Sequence, residues 1–534
     1  MRKYMMRKNM VILLGSVCLA HSQPTPPRLS CEALPKIGVP GLLVLSAEPV
    51  SAGTRLNGNG VALPAHCLLR AEVNKHTGAD GQPYGDIFEL RMPADWNGRL
   101  LFQGGGGLDG IVQPAIGGGG TFDRPALLRG YAVVSTDGGH AADPKAPTSM
   151  GSFGSDPAAL ADYEYRSTQR VTDAAKEILL RHYGAKPKHS YFRGCSNGGR
   201  EGLIAVQRYP QYFDGVIAGA PAFHLTRAMI AEAWTTMQFT AIAPKDAQGR
   251  PDLPKALSDN DLQLLAHAVL AKCDALDGVQ DDLISNPAAC HYDPADLQCT
   301  AEKTESCLSA GQVTALKKVM AGPLDSHGKS LYSDWPYDSG IAGPGWRAWI
   351  LGRATMPAIN TLIFPPAING MALAGQPPPI DIFHFDFDRD ATRLNKAAAA
   401  SLNAAATDLS AFRKRGGKLI LYTGMSDPVF SANDLIRYYQ DLTAANGGEK
   451  ETIDFARLFL LPGVNHCGGG PGLDSFDSLT ALETWVEDGE APRHIIAKGN
   501  AFPGRTRPLC PYPLIPHYNG WGNPENSASF ICGR

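Results

Sequence analysis

Ser196 stands in Gly194-x-Ser196-x-Gly198, within the stretch FRGCSNGGREG. That spacing belongs to a strained turn between strand and helix, which lifts a serine hydroxyl clear of a sheet. A serine hydroxyl is a poor nucleophile at neutral pH. It needs an imidazole to take its proton and a carboxylate to orient that imidazole. His466, after the strand-like ARLFLLPGVN, is the candidate base. Asp427, at the end of KLILYTGMS, is the candidate acid, with other strand-end aspartates such as Asp137 as competitors. Each signal alone is weak, because Gly and Ser are common in turns and Asp often forms them. Three residues in the order Ser, Asp, His, each after a strand, form the catalytic set of an acyl-transfer enzyme.

Such a set also needs N–H donors for the oxyanion of the tetrahedral intermediate. The N–H of Asn197, directly after the nucleophile, is one expected donor. The glycine run in LFQGGGGLDG, after an earlier strand, supplies the other, with Gly105 preferred to Gly106. Cys195 beside the nucleophile has three readings at this point: a second reactive group, a buried filler, or half of a disulfide.

The elements that carry these residues follow a βαβα rhythm. RLLFQGGGG, YAVVSTDGGH, HSYFRGCS and FDGVIAGAP read as short strands running into Gly, Ser or Asp, and TQRVTDAAKEILLRHYG reads as an amphipathic helix closed by Gly184. The rhythm resumes at GGKLILYTGMSD and FARLFLLPGVNHCGGG, and it implies a mostly parallel sheet flanked by helices. The Pro-rich block 224–406 has four cysteines and few strand-like runs, and reads as an inserted lid. The expected organisation is a leader at 1–22, catalytic-domain parts at 23–223 and 407–534, and the lid between them.

The leader follows from Arg2, Lys3, Arg7 and Lys8 before an apolar run that ends in small residues, the pattern of a secretory signal peptide. A lipid anchor at Cys18 is a lesser alternative, because Val17 before it is large. The run is too short to cross a bilayer. Export, to the periplasm or outside the cell, agrees with the cysteines: ten of the 11 lie beyond the leader, an even number that suits disulfides in an oxidising compartment. The formal charge of −3, near −7 without the leader, argues against nucleic-acid and anionic-membrane partners. No CxxC pair has zinc spacing. A monomer acting on a small molecule, with no organic cofactor, is the expectation.

GCSNGGREG together with GVNHCGGGPG resembles the tannase and feruloyl esterase family of α/β-hydrolases, and RMPADWNGRL, FDGVIAGAP, ARLFLLPGVNHC and RTRPLCPYP extend the likeness from about Cys31 to Cys532. The resemblance implies an α/β-hydrolase fold with a large lid domain and a bridge between Cys195 and Cys467, which flank Ser196 and His466. It further implies the pairs Cys31–Cys67, Cys273–Cys290, Cys299–Cys307 and Cys510–Cys532. By spacing alone, the acidic stretch CDALDGVQDDLISNPAAC is a solvated loop and not an EF-hand. The resemblance makes it a structural Ca²⁺ site, with the side chains of Asp274, Asp277 and Asp281 and the carbonyls of Val279 and Leu283 as ligands.

The substrate class follows from resemblance and residue type together. Trp349 and Phe430 match substrate-contacting positions and suit an aromatic acyl group, whereas Trp346 is as readily core. The terephthalate-ester branch of the family carries a lid arginine that grips a free carboxylate. Here no Lys or Arg lies between Arg353 and Arg389, and Asn197 replaces an acidic residue usual in that branch. The expected activity is hydrolysis of phenolic-acid esters such as ferulate or gallate. Two alternatives stand beside it: hydrolysis of mono(2-hydroxyethyl) terephthalate to terephthalate and ethylene glycol, and a non-catalytic, calcium-dependent binding protein on a hydrolase scaffold.

Overall fold

A computed structural model describes residues 25–56, 60–118, 124–143, 145 and 150–534. The expected leader and Cys18 lie outside the described residues. Nine strands form the central sheet: β1 (Leu42–Val50), β2 (His66–Thr77), β3 (Pro83–Pro93), β4 (Arg99–Gln103), β5 (Ala132–Thr136), β6 (His189–Cys195), β7 (Gly215–Gly219), β8 (Lys418–Gly424) and β9 (Ala456–Leu461). Their order is β1-β2-β3-β5-β4-β6-β7-β8-β9. From β5 to β9 every neighbour is parallel, while β1, β2, β3 and β5 pair antiparallel. The six strands read from sequence are β4 to β9. The antiparallel extension escaped that reading because β1 is an edge strand with Leu43 and Leu45 about half exposed, so its apolar alternation does not track burial.

Helices cover both faces, which is why the central strands read as continuous apolar runs. One face packs Phe88, Phe102, Phe192 and Val216 against α1 (Ser167–Tyr183) and α2 (Asn197–Arg208). Gly184 closes α1 at φ 71°. The other face packs Leu101, Tyr191, Ile217 and Phe459 against α3 (Ser478–Glu487). This is an α/β-hydrolase fold.

Between β7 and β8 the chain leaves the sheet and builds helical layers of its own. One apolar cluster gathers Met229, Phe364, Met371 and Leu394 and continues into Val429 and Phe430 of the catalytic domain. A second gathers Leu265, Val269, Leu316 and Trp346. The disulfides are Cys31–Cys67, Cys195–Cys467, Cys273–Cys290, Cys299–Cys307 and Cys510–Cys532, the pairing that the resemblance implies. No helix among the described residues is long and apolar enough to cross a membrane.

Candidate active site

Ser196 sits at the junction of β6 and α2 with φ 63° and ψ −123°. A left-handed conformation at a non-glycine residue costs free energy, and the surroundings hold it there. Its N–H donates to the Gly219 carbonyl at 3.0 Å, and its carbonyl accepts from Arg200 and Ala222. The flanking glycines answer to space and not to dihedral freedom. A Cβ on Gly194 would lie 2.4 Å from the backbone of Gly198, and one on Gly198 would lie 2.6 Å from the Gly105 carbonyl.

Asp427 and His466 meet behind the serine turn. His466 Nδ1 lies 2.8 Å from Asp427 Oδ2, and both side chains are buried. Asp427 Oδ1 accepts the N–H groups of Val429 (2.8 Å) and Phe430 (3.0 Å), which fixes the carboxylate plane. With Nδ1 committed to the acid, Nε2 is the atom left to take a proton from serine. The loops that carry acid and base are cross-linked by the insertion: Asp338 accepts from Ser426 Oγ and the Gly463 N–H, and Asn465 Nδ2 donates to the carbonyls of Gly340 and Ser426. The Trp335 indole N–H donates to the Asp427 carbonyl at 3.2 Å. The Cys195–Cys467 bridge then joins the residue before the serine to the residue after the histidine, with Cα atoms 5.9 Å apart.

Two aromatic rings stand against the base. Trp349 and Phe430 both have centroids 5.4 Å from the His466 ring, at 84° and 63° to it. Trp346 is buried instead and meets Phe239 edge-on, so of the two tryptophans in GWRAWILG only Trp349 lies at the site.

The oxyanion side differs from the sequence expectation at one residue. Asn197 begins α2, so its N–H has no acceptor within the helix and carries the partial positive charge of the helix start. The N–H of Gly105 is already taken: it donates to Glu201 Oε2 at 3.1 Å. The donors that the loop can still offer are at Gly106 and Gly107, and Gly107 (φ 60°) is tied by its carbonyl to the Tyr163 hydroxyl. The Gly105 amide, the expected donor, thus faces a buried carboxylate.

That carboxylate belongs to a cluster the sequence reading missed. Asn197 Nδ2 donates to Asp109 Oδ1 (2.8 Å) and Glu201 Oε1 (3.1 Å), while its Oδ1 accepts from Arg200 Nε (2.7 Å) and the Tyr163 hydroxyl (3.1 Å). Arg200 is fully buried and donates to the carbonyls of Tyr163 and Glu164, which the π-helical turn Asp162–Arg166 turns toward it. The charged pair Arg200-Glu201, three and four residues after Asn197, was the available signal: residues three and four apart share a helix face.

The acidic loop of the insertion folds around its own backbone. Asp274 accepts the N–H groups of Asp281 and Asp282, Asp277 Oδ1 that of Val279, and Asp281 Oδ1 that of Leu283. Arg507 pairs with Asp281 Oδ2. Among the described residues, no three His, Cys, Asp or Glu side chains are grouped to hold a metal by themselves. The loop nevertheless offers what a hard cation takes. Asp277 Oδ2 is buried with no partner, and burial pushes the Asp277 carboxyl up to about 6 and raises that of Asp274. A cation there would relieve both.

A serine on a strand-to-helix elbow, a histidine held by a buried aspartate and a helix start beside them, on a mostly parallel sheet, define a serine hydrolase of the α/β-hydrolase class. The chain belongs to the tannase and feruloyl esterase family, whose sequence profile, described as "Tannase and feruloyl esterase", matches residues 72–533. It is a carboxylic ester hydrolase. The mono(2-hydroxyethyl) terephthalate hydrolase of Piscinibacter sakaiensis is 43% identical, over 95% of this chain and 92% of that one. A probable feruloyl esterase of Arthroderma benhamiae is 30% identical, over 83% and 82%. In fold, the chain superposes on feruloyl esterase B of Aspergillus oryzae with a TM-score of 0.79 and 24% identity, covering 94% of this chain and all of the other.

Proposed function

We propose that this enzyme is an exported, monomeric esterase that hydrolyses esters of aromatic phenolic acids, such as ferulate or gallate, through an acyl-enzyme on Ser196. The observation that carries the reading is the pair of rings, Trp349 and Phe430, each with its centroid 5.4 Å from that of the catalytic imidazole. An aromatic acyl group entering between them brings its ester carbonyl to the serine. Ser196 Oγ attacks that carbonyl while His466 Nε2 takes its proton. Asp427 stabilises the imidazolium through Nδ1. The N–H of Asn197 and an amide of the Gly106–Gly107 turn receive the oxyanion. His466 returns the proton to the departing alcohol. Water, deprotonated by the same imidazole, then releases the acid and restores the serine.

The insertion between β7 and β8 acts as the lid that supplies Trp349. Calcium belongs to the same reading as a structural ion, held by Asp274, Asp277 and Asp281 with the carbonyls of Val279 and Leu283. Bound there, it would supply positive charge to these buried acids and would pin the loop. Export is supported by the basic, apolar start of the sequence and by five disulfides.

A second reading, hydrolysis of mono(2-hydroxyethyl) terephthalate, is favoured by the 43% identity to an enzyme named for that substrate. Against it stands the gap in Lys and Arg from 353 to 389, where a carboxylate clamp is expected. Parallel measurement of kcat/KM on methyl ferulate, methyl gallate and mono(2-hydroxyethyl) terephthalate separates the two. The first reading predicts that a neutral phenolic ester is the best substrate by tenfold or more, on the order of one lost charge-assisted contact. A terephthalate monoester at the top of that order overturns it.

A further inference from the structure

Two buried carboxyls sit directly behind the oxyanion donors, and the reaction steps above do not use them. Asp109 lies on the glycine loop after β4 at φ 49°, and Glu201 lies in α2 one turn beyond the serine. Asp109 and Glu201 meet at Asn197, whose Nδ2 donates to Asp109 Oδ1 at 2.8 Å and to Glu201 Oε1 at 3.1 Å. The other Asp109 oxygen, Oδ2, is buried with no hydrogen-bond partner. The site is shaped for it: a Cβ on Gly105 would meet the Asp109 carboxyl at 2.8 Å, and one on Gly138 at 2.7 Å. Glu201 accepts from the Gly105 N–H and from Asn197 Nδ2 as well, so its two oxygens face donors only.

We propose that Asp109 and Glu201 are positioning residues of the oxyanion hole, a carboxylic acid and a carboxylate that clamp the glycine loop to the first turn of α2 through Asn197. The proposal rests on the acyl-enzyme reading above. Two buried carboxyls that meet at one donor need one proton between them. Both Glu201 oxygens face N–H donors whereas Asp109 Oδ2 faces none, so Asp109 is the member placed to carry the proton. Burial and the charge of Glu201 raise the Asp109 carboxyl well above its ordinary range. Arg200 is then the cation nearest this pair, and it also faces the Glu164 carboxyl, which burial raises. Of the other groups packed around the loop, burial keeps the Tyr163 hydroxyl and the His140 imidazole neutral, and Asp137 is raised by burial and accepts from the Ile87 and Gly139 N–H groups. Loss of the Asp109 proton leaves two anions against one guanidinium beside a developing oxyanion. The clamp opens and kcat falls as pH rises.

The test is a set of variants with measured melting midpoints, run beside wild type and Ser196→Ala on a neutral aryl ester. Ser196→Ala reports on the acyl-enzyme reading alone. Asp109→Ala should lower kcat roughly tenfold or more with KM within about twofold, less than loss of an oxyanion donor itself. Asp109→Asn still accepts from Asn197, and should recover most of that loss. It should also move the alkaline limb of the kcat profile upward by about one pH unit or more, because the proton can no longer leave. Glu201→Gln turns an N–H₂ toward a donor, and should be clearly less active than Asp109→Asn. The proposal is overturned if Asp109→Ala keeps wild-type kcat, if Glu201→Gln matches or exceeds Asp109→Asn, or if the alkaline limb of Asp109→Asn stays where wild type has it. Asp109→Asn is nearly isosteric, so it reads out even if the alanine variant does not fold.

Discussion

At the scale of single residues the site is a set of commitments, each atom given one partner. His466 gives Nδ1 to Asp427, and Asp427 spends its other oxygen on two backbone N–H groups. The imidazole therefore has one orientation, with Nδ1 toward the acid and Nε2 away from it. Replacing Ser196 by Ala removes the nucleophile, and kcat should fall on the order of 10⁴-fold or more with the melting midpoint unchanged. Trp349 and Phe430 touch the base without taking part in proton transfer. Trp349→Ala and Phe430→Ala should each lower kcat/KM on aromatic esters by about tenfold. Activity on a short aliphatic ester such as p-nitrophenyl acetate should suffer much less. Equal losses on both substrates would assign the rings to shaping the histidine loop.

At the scale of elements, what matters is how closely strand, helix and loop approach. The GxSxG glycines clear 2.4–2.6 Å gaps that no Cβ fits. Gly194→Ala should destabilise the fold by about 1–3 kcal/mol and depress kcat, read from a melting curve and a steady-state assay. The triad and the strands β4 to β9 were legible in the sequence because each has a local signature: an apolar run, a turn residue, then a reactive side chain. The engagement of the Gly105 amide, and the presence of Asp109 and Glu201 beside it, were not legible for one reason. Which amide of a glycine run faces the site depends on a carboxylate 96 residues away in the chain, and no local pattern records that distance. Trp346 and Trp349 show the same limit. Both belong to one short helix, and only packing against Phe239 sends the first inward.

At the scale of the molecule, the catalytic loops are gathered from distant parts of the chain and then fastened. The Cys195–Cys467 bridge closes 272 residues and spans the whole insertion. In the chain-entropy picture so long a loop contributes about 5 kcal/mol. Its second effect is on geometry, since an ångström of drift between nucleophile and base is costly. The Cys195→Ser/Cys467→Ser double variant should melt earlier and, at a temperature where it is folded, turn over roughly 10- to 100-fold more slowly. A wild-type kcat in the folded double variant would limit the bridge to stability. The proposed calcium ion would act at the same scale. Chelation should lower the melting midpoint, with restoration by added Ca²⁺, while kcat of the folded enzyme at low temperature is little changed, because the acidic loop lies outside the catalytic cluster. An unmoved midpoint would remove calcium from the account.

The central claim is a covalent one: an aromatic acyl group is carried on Ser196. Rapid quenching of the enzyme with an activated ferulate ester, followed by intact-mass and peptide analysis, tests it most directly. The account predicts a mass increase equal to one feruloyl group, located on the peptide that contains Ser196 and absent from Ser196→Ala. An acyl adduct on another residue, or turnover that persists in the purified Ser196→Ala protein, would contradict it.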